Sequence, residues 1–242
     1  MPSFTRTRGF QNRLKGGVAL SFIIIPSYFI ANGLPYRIVF TLGLLLGLVE
    51  FCDVVIESFF IPNRQEAGVI SVIFLALILS IVSVWKYPLE IIGGVMVTVV
   101  MTDIGGYFGG KILGGIAIKS RPFPTISPNK TWEGIIVGLA FGAISAIIWV
   151  KHVIPNPPKA LIVYFVLMPP FSVIGDALES YFKRHADVKD SNDFLAIHPI
   201  LGWIEALLGG EGGHGGYLDR FDSVSFVMSL FFLADLFIGI IQ

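Results

Sequence analysis

The chain has 242 residues, of which 54% are hydrophobic and 14% charged, against roughly 25% charged in soluble domains, and its mean hydropathy is +0.78. That balance excludes an ordinary water-soluble globule and points to a membrane protein. Its 17 basic residues match 17 acidic ones, so no net charge draws it to a nucleic acid, and its single cysteine, Cys52, excludes an internal disulfide and a cysteine-based zinc site.

In chain order, Arg6, Arg8, Arg13 and Lys15 precede the first apolar run. The pattern has the form of a signal-peptide start, but no clean small-residue cleavage site follows and further spanning segments come after, so the run reads as a retained first helix. A bilayer core takes about 20 apolar residues per helix, and spans are predicted near 16–33, 36–58, 68–86, 88–109, 134–154, 160–182 and 224–241. Two of these are irregular. The 36–58 run carries Glu50, Asp53 and Glu57 near one end, and Pro169-Pro170 is expected to kink or break the sixth span. The predicted fold is all-α, a polytopic transmembrane bundle of about seven to nine spans.

Basic residues set the expected orientation. With the N-terminus cytoplasmic, only Arg37, Lys86, Lys151 and Lys159 fall outside, which is a positive-inside bias. The polar regions 110–133 and 183–222 then face the cytoplasm, within reach of a nucleotide. Glycine pairs such as Gly105-Gly106, Gly109-Gly110 and Gly215-Gly216 suit close helix packing as well as phosphate cradling.

Three polar segments carry candidate chemistry. Asp103 stands near the end of the fourth predicted span, ahead of Gly105-Gly106, Gly109-Gly110 and Lys111. An ionisable group at membrane depth is a functional candidate, the plainer alternative being an aspartate paired with Lys111. Next, Ser127-Pro128-Asn129-Lys130-Thr131-Trp132-Glu133-Gly134 precedes the fifth span. Ser127 or Asn129 suits a helix cap, Pro128 an early turn and Glu133 the positive end of the helix dipole. Capping leaves Lys130 unexplained, standing beside Ser127, Asn129 and Thr131 where a helix start attracts anions.

The third segment, 176–222, is the densest in charge. Asp176, Glu179 and Lys183 lie at i, i+3 and i+7, and Asp219 and Asp222 at i and i+3, so each set shares a helix face. Carboxylates brought together repel unless a divalent cation lies between them, and oxygen ligands suit Mg²⁺ or Mn²⁺. Neighbouring lysines and arginines suit phosphate oxygens, which makes phosphoryl or nucleotidyl transfer the inferred chemistry. Lys183-Arg184 alone would read as a juxtamembrane pair holding lipid headgroups. His214 stands among glycines close to Asp219, between a loop histidine and a ligand, whereas His152, His185 and His198 have no such company.

Four motifs then appear in order: Ser180-Tyr181-Phe182-Lys183-Arg184, Lys189-Asp190-Ser191, His214-Gly215-Gly216 and Asp219-Arg220-Phe221-Asp222. Together with the segments around Asp103 and Lys130, they resemble the phosphatidate cytidylyltransferases, or CDP-diacylglycerol synthases, over residues 95–235. There are two departures. Residues 192–212 intervene where the family joins its motifs closely, with Gly212 in the place of a proline, and this insert includes a segment from Ile200 to Leu208 suited to an interfacial helix. The N-terminal part is also short for that family.

The resemblance implies that CTP and phosphatidic acid give CDP-diacylglycerol and pyrophosphate with Mg²⁺ or Mn²⁺, with room for a second cation. It implies residues 1–95 as N-terminal transmembrane helices and 96–242 as the catalytic transmembrane region. Asp176 and Asp219 are expected as primary metal ligands, with Asp222, Asp190 and Glu179 as further candidates. Lys130, Lys183, Arg184, Lys189 and Arg220 would hold the phosphates, Asp103 would line the cavity, and Ser127, Asn129, Thr131 and His214 would complete the substrate contacts. The expected partners are CTP, phosphatidic acid and membrane lipids, with no nucleic acid, and a homodimer is compatible. Two rival readings stay open: an ion- or proton-coupled transporter using Asp103 and Asp176, and a related polyprenol or lipid kinase.

Overall fold

Apolar runs bounded by proline, glycine and capping residues become six long helices in the computed structural model, which describes residues 26–59, 62–186 and 218–240. Residues 26–29 are helical and give way to a tight turn, Ala31–Gly33. The rest of the predicted 16–33 span lies outside the described residues. Gly33, at φ 72°, then starts α1, Leu34–Ser58. A Cβ on Gly33 would lie 2.3 Å from Leu89 Cδ2, so the left-handed turn also lets the chain pass close over the start of another helix.

Helix α2, Arg64–Lys86, opens with a capping box. Asn63 Oδ1 accepts from the N–H groups of Gln65 and Glu66 at 3.0 and 2.9 Å, and Glu66 Oε2 accepts from Asn63 N–H at 2.9 Å. Tyr87 and Pro88 alone turn the chain into α3, Leu89–Leu113. Helix α4 is Trp132–Val153, α5 is Lys159–His185 and α6 is Leu218–Ile238. Each is long and apolar enough to cross a membrane, and large side chains such as Ile136, Ile144, Ile148 and Val163 are more than half exposed. The fold is a polytopic all-α bundle whose outer face suits lipid.

The structure corrects one expectation. Pro169 and Pro170 do not break the sixth predicted span, because α5 runs through both. Pro169 is buried, and a Cβ on Gly142 would lie 2.7 Å from its ring and 2.1 Å from Thr102 Oγ1, so packing against α3 and α4 holds this segment. Helix α6 begins ahead of the apolar run near 224 and so holds Asp219 and Asp222 within it, as their i, i+3 spacing requires. Hydropathy marks where a segment becomes apolar, whereas hydrogen bonding marks where it becomes helical.

Helices α3 and α4 make the closest pair. A Cβ on Gly138 would stand 2.7 Å from Thr102 O, one on Gly134 2.8 Å from Gly106 O, and one on Gly109 2.5 Å from Val137 Cβ. At Gly134 and Gly138 only a hydrogen fits between the glycine and the facing backbone, and at Gly109 the room is taken by the Val137 side chain. Elsewhere polar groups join helices through the apolar core: Tyr164 O–H donates to Val227 O at 2.8 Å, and Ser80 Oγ donates to Ser225 O at 2.7 Å.

The two ends of the bundle differ. At the end holding Tyr87, Lys86 Nζ meets Asp235 Oδ2 at 3.0 Å, Tyr87 O–H donates to the same oxygen at 3.0 Å, and Arg37 donates to Tyr87 O at 2.9 Å. Both long connections, 114–131 and the one between α5 and α6, leave from the opposite end. That end also holds most of the buried charge.

Candidate active site

Three helices and one connection deliver the charged groups. Helix α5 carries Asp176, Glu179 and Lys183 on one face, as their spacing requires. Gly175, next to Asp176, lets α6 approach: a Cβ there would lie 2.8 Å from Phe226 Cβ and 3.1 Å from Ser223 Cα. This contact draws Asp222 towards α5. Carboxylate oxygens of Asp176, Glu179 and Asp222 all lie within 4.8 Å of one another.

Two ammonium groups border these acids. Lys183 Nζ bridges Glu179 Oε2 at 2.9 Å and Asp219 Oδ1 at 3.0 Å. Lys130 Nζ, from the α3–α4 connection, is hydrogen-bonded to Asp176 Oδ2. Ser180 Oγ donates to Asp176 Oδ1 at 3.4 Å. Asp103, on α3, lies within electrostatic reach of Asp176, Lys130 and Asp222; its feared partner Lys111 instead stands over the Tyr107 ring, 5.7 Å from the centroid.

The cluster therefore gathers five carboxylates, Asp103, Asp176, Glu179, Asp219 and Asp222, around two ammonium groups. Such an excess of negative charge calls for a cation. The donor set passes that test on its own geometry. Glu179 is only 3% exposed, and its Oε1 has no hydrogen-bond partner among the described residues. A buried carboxylate oxygen left in this state is costly unless something positive faces it. Three carboxylate donors gathered within 4.8 Å of one another could hold a divalent cation, for which oxygen ligands are suited.

The approach to the cluster is shaped by the α3–α4 connection. Thr131, not Ser127 or Asn129, caps α4: its Oγ1 accepts from Gly134 N–H at 3.0 Å. Gly110 and Gly114 lie close against Thr131: a Cβ on them would stand 3.3 Å from its Oγ1 and 2.9 Å from its Cγ2. Glu133 stands in the first turn of α4, near the positive end of the helix dipole as expected, and does more than that. Its Oε1 reaches back to accept from Ala117 and Ile118 N–H at 3.0 and 2.8 Å, folding the connection onto α4. Ser127 O accepts from Lys130 N–H at 3.1 Å, and Arg184 Nε donates to Ile126 O at 3.3 Å, tying the end of α5 to the same connection.

Most expected residues thus converge. Asp103, Lys130, Asp176, Glu179, Lys183, Asp219 and Asp222 share one end of the bundle, and Asp219 stands with Lys183 rather than in the closest acidic trio. Ser127, Asn129 and Arg184 line the neighbouring connection, whereas the Thr131 hydroxyl is engaged in its cap. Arg220 occupies the first turn of α6. Lys189, Asp190, His214 and the 192–212 insert lie outside the described residues.

One contributor was visible in sequence only as an irregularity of a span. Glu50 on α1 is fully buried, and its Oε2 accepts from Leu218 N–H at 2.8 Å. A carboxylate within an apolar run was the available signal.

Residues 10–199 match the family described as the cytidylyltransferase family. The phosphatidate cytidylyltransferase of Bacillus subtilis (strain 168) is 34% identical over 233 residues, covering 93% of this chain and 78% of that protein. Proteins of the same name from Staphylococcus haemolyticus (strain JCSC1435) and Helicobacter pylori (strain J99) are 39% and 34% identical over 131 residues, 54% of this chain and 43% and 41% of theirs.

Proposed function

Since this chain belongs to the cytidylyltransferase family, we propose that it joins CTP to phosphatidic acid, giving CDP-diacylglycerol and pyrophosphate. The observation that carries this reading is the acidic trio of Asp176, Glu179 and Asp222 beside Lys130 and Lys183, at the end of a membrane bundle. A lipid substrate arrives from the bilayer and a nucleotide from water, so their reaction belongs where the helices end.

An oxygen of the lipid phosphate attacks the α-phosphorus of CTP. The new phosphoanhydride bond forms as the bond from the α-phosphorus to the bridging oxygen of the β-phosphate breaks, and pyrophosphate leaves with that electron pair. The phosphate monoester is already ionised near neutral pH, so the chain supplies neither a nucleophile nor an obligatory base. Its work is positioning and charge neutralisation. Asp176, Glu179 and Asp222 would hold the metal, with Asp219 alongside. A bound divalent ion would neutralise the triphosphate and polarise the phosphorus under attack.

Lys130 and Lys183 orient the phosphates while keeping the acids from repelling one another, and Arg184 extends this positive edge towards Ser127 and Asn129. Lys189, Asp190, Arg220 and His214 join the same set through their motifs, and Asp103 lines the cavity from α3. We assign the chemistry to residues 96–242, with 1–95 as supporting helices. The asymmetry of basic residues supports a cytoplasmic N-terminus and a cytoplasmic site.

The test is to supply the purified full chain with phosphatidic acid and labelled CTP or ATP. Lipid-extractable label from CTP alone, abolished by EDTA and restored by Mg²⁺ or Mn²⁺, is the expected result. Transfer of the ATP γ-phosphate to a lipid alcohol would establish the kinase reading instead. Counterflow uptake by liposomes without either transfer would establish the transporter.

A further inference from the structure

Helix α1 belongs to the part of the chain that sequence motifs leave out of the chemistry, yet it grips the start of the helix that carries Asp219 and Asp222. Glu50 Oε2 accepts from the backbone N–H of Leu218, the first residue of α6, at 2.8 Å. Seven residues earlier, on the same face of α1, Gly43 leaves room for Phe221: a Cβ there would stand 2.5 Å from that ring. Phe40 adds an edge-to-face contact to the same ring at 5.2 Å. The first turn of α6 is therefore fixed by a hydrogen bond at Leu218 and by a ring at Phe221, and the two acids fall between and beside these anchors.

We propose that Glu50 is a positioning residue for the metal-binding acids: by holding the Leu218 N–H it sets the axial register of α6 and with it the Asp222 carboxylate opposite Asp176 and Glu179. Packing alone does not account for a carboxylate here. An apolar side chain of similar size would be less costly to bury among lipid-spanning helices, and it would fill the same space. A carboxylate adds a fixed acceptor at a helix start, where the first N–H groups have no partner within the helix. Asp222 lies four residues after Leu218, one turn along the same face, so a shift of that first turn moves the acid directly.

The inference rests on the metal-site reading above, and its test separates the two. Mn²⁺ binding to the detergent-purified full chain is titrated by electron paramagnetic resonance, without substrate, for wild type, Glu50→Leu and Glu50→Gln. Loss of a group that orients metal ligands typically weakens metal affinity roughly 10- to 100-fold, and that loss is expected for Glu50→Leu at a thermal midpoint close to wild type. Glu50→Gln keeps an oxygen acceptor and should restore affinity to within about threefold. Equal Mn²⁺ affinity in wild type and Glu50→Leu would overturn the positioning role and leave the metal site standing. Absence of Mn²⁺ binding by wild type would overturn both. Should Glu50→Leu not fold, Glu50→Gln decides: affinity as weak as that of an Asp222→Asn chain would show that an oxygen acceptor is not what Glu50 provides, and would overturn the proposal.

Discussion

The two ends of this bundle are built from the same residue types and reach opposite solutions. At one end Lys86, Tyr87, Arg37 and Asp235 satisfy one another, and a two-residue connection closes α2 onto α3. At the other, five carboxylates outnumber the ammonium groups beside them, and Glu179 keeps a buried oxygen without a partner among the described residues. Matched charges at a helix end answer one another and contribute at most about 1 kcal/mol. Mismatched ones, held in place by packing, store an attraction for something that is not part of the chain. The contrast separates the end where charges are answered within the chain from the end to which we assign the chemistry.

Mutation can break this contrast from either side, with unequal results. The largest effect is expected at the end assigned the chemistry: Asp222→Asn keeps the shape of the side chain but removes its charge, and turnover of labelled CTP should fall roughly 100-fold or more while circular dichroism and thermal midpoint stay close to wild type. A midpoint well below wild type would instead make Asp222 a structural residue.

A smaller effect is expected midway along the bundle, where Gly138→Ala forces a methyl group towards Thr102 O. Overpacking of this kind costs about 1–3 kcal/mol, measurable as a lower thermal midpoint in detergent. Activity should fall with it, because α3 and α4 carry Asp103 and lead from Lys130. The smallest belongs to the opposite end. Asp235→Asn still offers an oxygen to Tyr87 and Lys86, so stability should change by less than about 1 kcal/mol, with catalytic rate unaltered.

What the sequence made legible follows the same division. Periodicity placed Asp176, Glu179 and Lys183 on one face and Asp219 with Asp222 on another, because those relations lie within single helices. Hydropathy located the spans that the structure describes, for the same reason. The choice among partners was not legible. That Asp219 stands with Lys183 while Asp222 joins Asp176 and Glu179 depends on how α5 and α6 cross at Gly175. Glu50 looked like a flaw in an apolar run, since its partner Leu218 is 168 residues away. Pro169-Pro170 misled in the other direction: a local rule predicted a kink or a break, and the helix runs unbroken through both where neighbouring helices pack against it.

Glu133 draws one more consequence from this arrangement. By taking two backbone N–H groups of the 114–131 connection, it gives that rim a settled shape before any substrate arrives. Segments that must be ordered at each encounter weaken binding by the freedom they surrender. On the proposed reading that freedom is given up once, when the chain folds, rather than at each encounter with a polyanion.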